Sequence, residues 1–170
     1  LAPARPAVSI GSRKIFVYFL KEKNQVLSIF KKFKTMVENQ TGLKIKRFRS
    51  DNGSEYVNKE FRKFMEESGI IHEKTVPYTP EQNGLAERVN RTIVEKARCL
   101  IFDADMHKRF WAEAVYTAVY IINRSPTKGN TITPEEIWTG KKPDISHFRI
   151  FGSTVMAHIP KEKRRKWDKK

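Results

Sequence analysis

Segments typical of strands and of helices alternate along this chain, and the alternation limits the folds open to it. Lys14–Leu20 is rich in aromatic and β-branched residues, which favours a strand. Between Gln25 and Asn39 hydrophobic residues recur at helical spacing, and Gly42 follows where such a helix would end. Leu43–Ser50 and Ile70–Val76 have strand character again. This order of elements predicts an α/β layer architecture in a single domain.

Three more helices complete the predicted order. Asn58 is a favourable N-cap for a short helix at Asn58–Ser68, between two of the strands. A hydrophobic stripe that starts at Val89 predicts a longer helix holding Glu87, and Lys108–Asn123 predicts another. We expect these last two to pack on the sheet, with the residues EQNG at 81–84 forming a mobile polar connector before the first of them.

The charge of the chain indicates a polyanionic partner. The chain contains 34 Lys and Arg and 19 Asp and Glu, which gives a net charge of +15 over 170 residues. Nucleic acid is the partner that such an excess favours. No run approaches the roughly 20 apolar residues of a membrane-spanning helix, so we expect no membrane partner. The single cysteine, Cys99, excludes an internal disulfide and suits a reducing compartment.

Two acids stand in contexts suited to a shared metal ion. Asp51 follows a predicted strand within SDNGSEY, and Glu87 lies thirty-six residues later near the start of a predicted helix. Carboxylates at a strand end and a helix start can meet over one divalent cation, and hard oxygen ligands suit Mg²⁺ or Mn²⁺. Simpler interpretations exist for each acid alone. Asp-Asn-Gly is a favoured turn sequence, and Glu87 is four residues before Arg91, the spacing of a helical salt bridge.

Five sequence blocks carry a family resemblance. In chain order they are RKIFVYFLKEK, SDNGSEY, VPYTPEQNGLAERVNRTIVEKAR, FWAEAVYTAVYIINRSP and WTGKKPDISHFRIFG. From about Ser12 to Lys166 the chain resembles the integrase of copia-type retrotransposons. The resemblance implies a ribonuclease-H-like three-layer core whose Asp, Asp and Glu bind Mg²⁺ or Mn²⁺ and join element DNA to target DNA. The last two of these acids fall at Asp51 and Glu87.

The first acid of that family has no counterpart here. It lies on the opening strand of the core, and the first carboxylate of this chain is Glu22. We therefore expect residues 1–13 to be an atypical extension and residues 14–126 to be a partial core that lacks its first two strands. With two of three acids, we expect at most one weakly held divalent ion.

The last part of the chain changes in composition. We predict a linker over residues 127–147 and then a strand at Phe148–Ile159, which in the resembled family opens a small β-barrel. Residues 148–170 would thus be the start of a C-terminal β segment with a basic tail. Lys161–Lys170 holds seven basic and two acidic residues, a density that suits phosphate contact or nuclear import.

Polar and basic residues around Glu87 are candidates for contact with DNA. The predicted nucleic-acid-binding residues are Gln82, Asn83, Arg88, Asn90, Arg91 and Lys96. Arg98 on the same helix, and Lys44, Lys46, Arg47 and Arg49 before Asp51, extend the candidate phosphate track, although solvated faces explain about half of these charges. Phosphate contacts give affinity that falls with salt and little sequence discrimination.

Three functions are compatible with these features. The first is a fragment of an integrase that performs 3′-end processing and strand transfer in the nucleus, after a cytoplasmic stage of the parent element. The second is a non-catalytic nucleic-acid-binding module derived from a transposon. The third is a poorly folded remnant, because the sheet loses a central strand. The resemblance also implies a homo-oligomer.

Overall fold

The computed structural model describes residues 7–8, 11–75, 80–127, 129, 131–155, 160 and 162, with the backbone alone at 7–8, 80–83 and 85. The elements in this part of the chain are β1 (Ala7–Val8), β2 (Ile15–Phe16), α1 (Val26–Thr41), β3 (Arg47–Ser50), α2 (Ser54–Val57), α3 (Lys59–Glu67), β4 (Ile71–Lys74), α4 (Pro80–Asp103), α5 (Trp111–Asn123) and α6 (Pro134–Thr139). Single 3₁₀ turns at Lys23–Gln25 and Lys108–Phe110 lead into α1 and α5. The mixed α/β architecture predicted from the sequence is confirmed.

The strands form two separate pairs in the described residues. β1 runs antiparallel to β2, with Val8 opposite Ile15. β3 runs parallel to β4, from Arg47 opposite Ile71 to Ser50 opposite Lys74. Each of β2, β3 and β4 lies inside a predicted strand but is shorter than predicted. The two pairs share no strand in the described part of the chain, and the expected absence of the first two strands of the sheet stays a prediction.

Local capping signals in the sequence fix the ends of two helices. Gly42 adopts a left-handed conformation (φ 69°) after α1, and its N–H donates to the carbonyl of Glu38. Glycine is favoured there because it has no Cβ to clash in this conformation. Asn58 caps α3, and its side-chain oxygen accepts a hydrogen bond of 2.7 Å from the Phe61 N–H. Both predicted caps are confirmed.

One hydrophobic core lies between α1, α3 and the β3–β4 pair. Its buried members are Val26, Phe30, Phe33, Phe61, Met65 and Ile70. Phe61 is fully buried, with its ring centroid 5.5 Å from that of Phe30 and 5.8 Å from that of Phe48. Burying a side chain of this size stabilises a fold by about 1.5–3 kcal/mol. This core holds β3 and β4, and therefore the chain that leaves them, in place.

A second core joins α4 and α5 to β2. It contains Ile15 and Val17 together with one buried stripe from each helix: Ile93, Ala97 and Ile101 from α4, and Ala114, Val115, Ala118 and Val119 from α5. The buried Asn123 side chain also binds both backbone groups of Ile15, accepting from its N–H and donating to its carbonyl, each at 2.8 Å. These contacts fix α4, which carries Glu87, against β2 and α5.

Two predictions about connecting segments need correction, the second of them over its described residues. Residues 81–84, predicted as a polar connector, are the second to fifth residues of α4. The predicted strand Phe148–Ile159 is wrong over residues 148–155, which contain turns and no strand, while 156–159 lie outside the described residues. A short hydrophobic run does not fix a strand where no neighbouring strand supplies backbone hydrogen bonds.

The predicted linker at residues 127–147 contains α6, which is tied to the core. Glu135 forms ion pairs with Lys14 (2.8 Å) and Arg124 (3.6 Å), and all three side chains are largely buried. The indole N–H of Trp138 donates to the side-chain oxygen of Gln40 at 3.1 Å. These contacts cross three elements of the core, so residues 134–139 pack as part of it. The domain boundaries themselves stay predictions.

Among the described residues, no helix has the length and apolarity needed to span a membrane.

Candidate metal centre and nucleic-acid interface

Asp51 lies where the chain leaves β3. Ser50 is the last residue paired with β4, so Asp51 is the first residue beyond the ladder. One of its carboxylate oxygens accepts a hydrogen bond of 3.3 Å from the Gly53 N–H, the local bond that an Asp-x-Gly turn favours. The side chain is half-buried. The predicted strand-end position of this acid is confirmed.

The turn after Asp51 is anchored to the end of β4. The Asn52 side-chain amide donates to the Thr75 carbonyl at 2.7 Å, and the Thr75 N–H donates to the Ser50 carbonyl at 3.1 Å. The Ser50 hydroxyl donates to the carbonyl of Asp51 at 2.8 Å. These bonds hold the backbone on both sides of Asp51. Sequence reasoning missed them, and the available signal was the pair of short polar residues on either side of the acid.

His72 reaches this turn from the neighbouring strand. Its Nε2 lies 2.8 Å from the Ser50 hydroxyl oxygen, and Ser50 is buried. Its ring centroid is 5.6 Å from that of Phe48 and 5.7 Å from that of Phe61. Burial lowers the pKa of His72, and the nearby charge of Lys74 lowers it further.

Glu87 is the eighth residue of α4, and its side chain is exposed. It makes no ion pair with Arg91 in the described part of the chain, so the simpler explanation of Glu87 as a helical salt-bridge partner has no support. The connection from β4 to α4, residues 76–79, lies outside the described residues. Asp51 therefore lies at the end of β3, and Glu87 lies on the second turn of α4.

The donor types at these two positions fit a hard divalent cation. Both are carboxylates, the ligands that Mg²⁺ and Mn²⁺ prefer. Among the described residues there is no group of three His, Cys, Asp or Glu side chains arranged for a metal ion. The expectation of a weak, single-ion site stays a prediction.

The predicted DNA-contacting residues occupy different sides of α4. Arg88, Arg91 and Lys96 are exposed, and Asn90 is half-buried. At about 100° per residue, Arg91 lies about 40° around the helix from Glu87, whereas Lys96 lies about 140° from Arg91. Arg98, two turns beyond Arg91, is only about 20° from it in projection. Glu87, Arg91 and Arg98 thus share one exposed face, which we call the α4 basic face, and Lys96 lies on nearly the opposite side of the helix.

Gln82 and Asn83 belong to the first turns of α4 by their backbone, but their side chains lie outside the described residues. Their predicted contacts with DNA therefore stay predictions. The same holds for the basic tail, because most of residues 161–170 lie outside the described part of the chain.

Three of the four basic residues before Asp51 are engaged in ion pairs. Arg47 and Arg49 both bind the Glu73 carboxylate, at 2.8 Å and 2.9 Å, across the β3–β4 ladder. Hydrogen bonds from Arg49 and Arg47 lower the pKa of Glu73. Lys44 pairs with Glu38 at 3.1 Å. These residues have an intramolecular role, which leaves the α4 basic face as the better candidate for phosphate contact.

The fold defined by these elements is that of a retroviral integrase catalytic core. The structure is similar to the HTLV-2 integrase catalytic core domain in complex with magnesium (trimeric form), with a TM-score of 0.58, 20% identity, and coverage of 77% of this chain and 80% of that one. It is also similar to the simian T-cell lymphotropic virus intasome in complex with PP2A regulatory subunit B56 gamma, with a TM-score of 0.61 and 20% identity. That match covers 96% of this chain and 53% of the other.

Sequence relatives specify the class further. Residues 6–80 match the family model described as Integrase core domain. The chain is 53% identical over 161 residues to the Pol polyprotein of transposon TNT 1-94 from Nicotiana tabacum, and 36% identical over 160 residues to that of transposon RE2 from Arabidopsis thaliana. Each match covers 94% of this chain but only 12% and 11% of the respective polyprotein. The resemblance to copia-type retrotransposon integrases is confirmed.

Asp51 lies inside the residues that match the integrase core model, whereas Glu87 lies beyond them. The assignments of Asp51 and Glu87 as metal ligands, and of the residues on α4 as DNA contacts, are tested by neither comparison and stay predictions.

Proposed function

We propose that this chain is part of a retrotransposon integrase that binds DNA and takes part in DNA integration. The observation that carries the proposal is the placement of Asp51 at the end of β3 and of the exposed Glu87 on α4, in a chain with the integrase core fold. In this proposal the parent reaction is 3′-end processing followed by strand transfer, and it takes place in the nucleus.

The two acids would bind Mg²⁺ or Mn²⁺, and the α4 basic face would hold the DNA backbone beside them. A bound divalent ion supplies electrostatic stabilisation of the charge that develops at phosphorus. The HTLV-2 core that this chain resembles was solved in complex with magnesium. Asp51 is fixed by the turn around it, while Arg91 and Arg98 place positive charge along the helix that carries Glu87. Their contacts would position a phosphate backbone without reading its sequence.

Self-association belongs to the same proposal. HTLV-2 integrase core structures exist in trimeric and dimeric forms. A homo-oligomer would bring the basic faces of several copies to one DNA duplex, and size-exclusion chromatography with light scattering tests this directly.

A non-catalytic DNA-binding module is the second candidate. The observation that favours it is the pair of acids without a third metal-ligating side chain among the described residues. The net charge of +15 would preserve DNA affinity in such a module even without chemistry.

An oligonucleotide strand-transfer assay in Mn²⁺ separates the two. Product formed by the chain and lost in Asp51→Asn supports the enzyme. Asp103→Asn is the matched control, because Asp103 is an exposed acid at the far end of α4 and its loss should leave activity unchanged. Salt-sensitive binding without product supports the module, and absence of DNA binding at low salt contradicts both.

A further inference from the structure

The hydrogen bonds around Ser50 form a directed chain that ends at Asp51. The Ser50 hydroxyl oxygen lies 2.8 Å from His72 Nε2 and 2.8 Å from the Asp51 carbonyl oxygen. A hydroxyl has one hydrogen to donate, and here it goes to the Asp51 carbonyl. The Ser50 oxygen must then accept from His72, so Nε2 carries a hydrogen. The chain runs from the His72 ring N–H through the Ser50 hydroxyl to the backbone of Asp51.

This arrangement fixes the rotamer of a buried hydroxyl. Ser50 is 8% exposed, and its side chain would otherwise be free to choose among staggered rotamers. The His72 ring lies against Phe48 and the fully buried Phe61, which hold its plane. A donor on a fixed ring therefore selects the Ser50 rotamer that points at Asp51.

The Asp51 backbone is the place where such a bond has an effect on the site. Asp51 is the first residue beyond the β3–β4 ladder, and it directly follows the Ser50 carbonyl, which accepts from the Thr75 N–H. The Ser50 bond holds the carbonyl of Asp51, and the Asn52 bond to Thr75 holds the next residue. Rotation of the peptide after Asp51 would shift the turn in which the Gly53 N–H meets the Asp51 carboxylate.

We propose that His72 is a positioning residue for Asp51, acting through the Ser50 hydroxyl. It does not touch the proposed metal ion. It holds the backbone from which the Asp51 carboxylate projects, and small displacements of a ligand matter because productive geometry tolerates about 0.5 Å. The inference rests on the proposed role of Asp51 as a metal ligand, although the positional effect can be measured without metal.

The site allows a matched pair of variants. His72 lines a cavity of about 220 Å³ between α3 and β4, together with Tyr56, Met65 and Ile70, so side chains of similar size can be accommodated. His72→Gln keeps an N–H donor close to the position of Nε2. His72→Phe keeps an aromatic ring between Phe48 and Phe61 but removes the donor.

The metal test measures Mn²⁺ binding by electron paramagnetic resonance of the free ion. We expect His72→Phe to weaken Mn²⁺ affinity about tenfold, which is the lower end of the effect of losing a residue that supports a metal ligand. His72→Gln should bind Mn²⁺ with an affinity close to that of the wild type. Ser50→Ala should match His72→Phe, and the double variant should lose no more than either single one. Equal Mn²⁺ affinity in wild type and His72→Phe would overturn the inference.

A metal-free measurement separates failure of the inference from failure of the proposed function. In His72→Phe we expect the Asp51 carboxyl ¹³C and Gly53 amide resonances to shift, with the amide of Phe33, which lies in the same core on α1, unchanged. His72→Gln should restore the wild-type shifts. A purely structural role would move Phe33 as well and would count against positioning. If the wild-type protein does not bind Mn²⁺, the proposed metal function is wrong. The metal-free resonances would still decide whether His72 positions Asp51.

Discussion

At the scale of single residues, Glu38 is an acid with a strongly lowered pKa, and it lies on α1 away from the proposed metal centre. Its carboxylate is 8% exposed and lies 2.9 Å from Lys34 Nζ and 3.1 Å from Lys44 Nζ. It also accepts from the Ile45 N–H at 3.0 Å. Burial by itself would raise the pKa of Glu38, but the hydrogen bonds from Lys34, Ile45 and Lys44 outweigh it and lower the pKa to about 2.

Glu38 should therefore stabilise the fold in a pH-dependent way. Its pKa is lower in the folded chain than the ordinary value of 4.5, so the stabilisation is complete above pH 4.5 and is lost as pH falls towards 2. We expect Glu38→Gln to lower the free energy of unfolding by about 1–2 kcal/mol at pH 7 and by less at pH 3. Urea unfolding at both pH values measures this.

Glu67→Gln provides the control for that experiment, because its pair with Lys63 is exposed and long at 3.8 Å. It should change stability little at either pH. A loss in Glu38→Gln that was equal at pH 7 and pH 3 would show that the charge of Glu38 is not the cause.

The position of a residue in the fold could be predicted from the sequence where the signal is local. The Asp-Asn-Gly turn and the hydrophobic stripe that starts at Val89 placed both acids on the correct elements. The bond between Ser50 and His72 joins residues 22 apart, and that between Asn123 and Ile15 joins residues 108 apart. Such bonds depend on strand register and helix docking, which a single sequence does not encode in any short pattern.

At the scale of elements, α3 connects the Asp51 turn to the aromatic core. It begins directly after α2, and its cap at Asn58 precedes the fully buried Phe61 by three residues. The cap therefore determines where the helix starts and which side chain enters the core.

We expect Asn58→Ala to lower the free energy of unfolding by about 1 kcal/mol, because the Phe61 N–H loses its acceptor. Thermal or urea unfolding monitored by circular dichroism measures the change. Asn39→Ala is the matched control, since Asn39 is an exposed residue inside α1 and alanine has the higher helix propensity. An equal loss in both variants would contradict the capping role.

Element types were predicted better than element boundaries. The caps at Gly42 and Asn58 are local, so α1 and α3 were placed closely. β2 is two residues long although the predicted strand, Lys14–Leu20, is seven, because strand length depends on a partner strand and not on composition alone. α6 was missed inside the predicted linker. Its sequence signals were Thr133 as N-cap and Pro134 at the first turn, and its position depends on the ion pairs of Glu135.

At the scale of the whole molecule, excess positive charge and the α4 basic face lead to one expectation about DNA. Binding should be sequence-tolerant and should weaken steeply with salt, because released counterions supply much of the free energy. Arg47 and Arg49, the two basic residues nearest Asp51 in sequence, form ion pairs with Glu73. They should therefore contribute less to DNA affinity than the basic residues on α4.

The double variant Arg91→Gln, Arg98→Gln should weaken duplex binding and lower the slope of log affinity against log salt by about 2, about one unit for each lost phosphate contact. Fluorescence anisotropy across a salt series measures the slope. Arg62→Gln on α3 removes an exposed cation elsewhere and should leave the slope close to wild type. An unchanged slope in the double variant would exclude the α4 basic face as the DNA contact.

We propose that Asp51 and Glu87 bind one divalent ion together. Titration of isotope-labelled protein with Mn²⁺, followed by nuclear magnetic resonance, decides whether they do, because the ion broadens resonances near it. We predict that the amides of Gly53 and Arg88 broaden together at low Mn²⁺ and that both effects disappear in Asp51→Asn. Broadening at only one of the two positions, or broadening of both that persists in Asp51→Asn, would contradict a shared site.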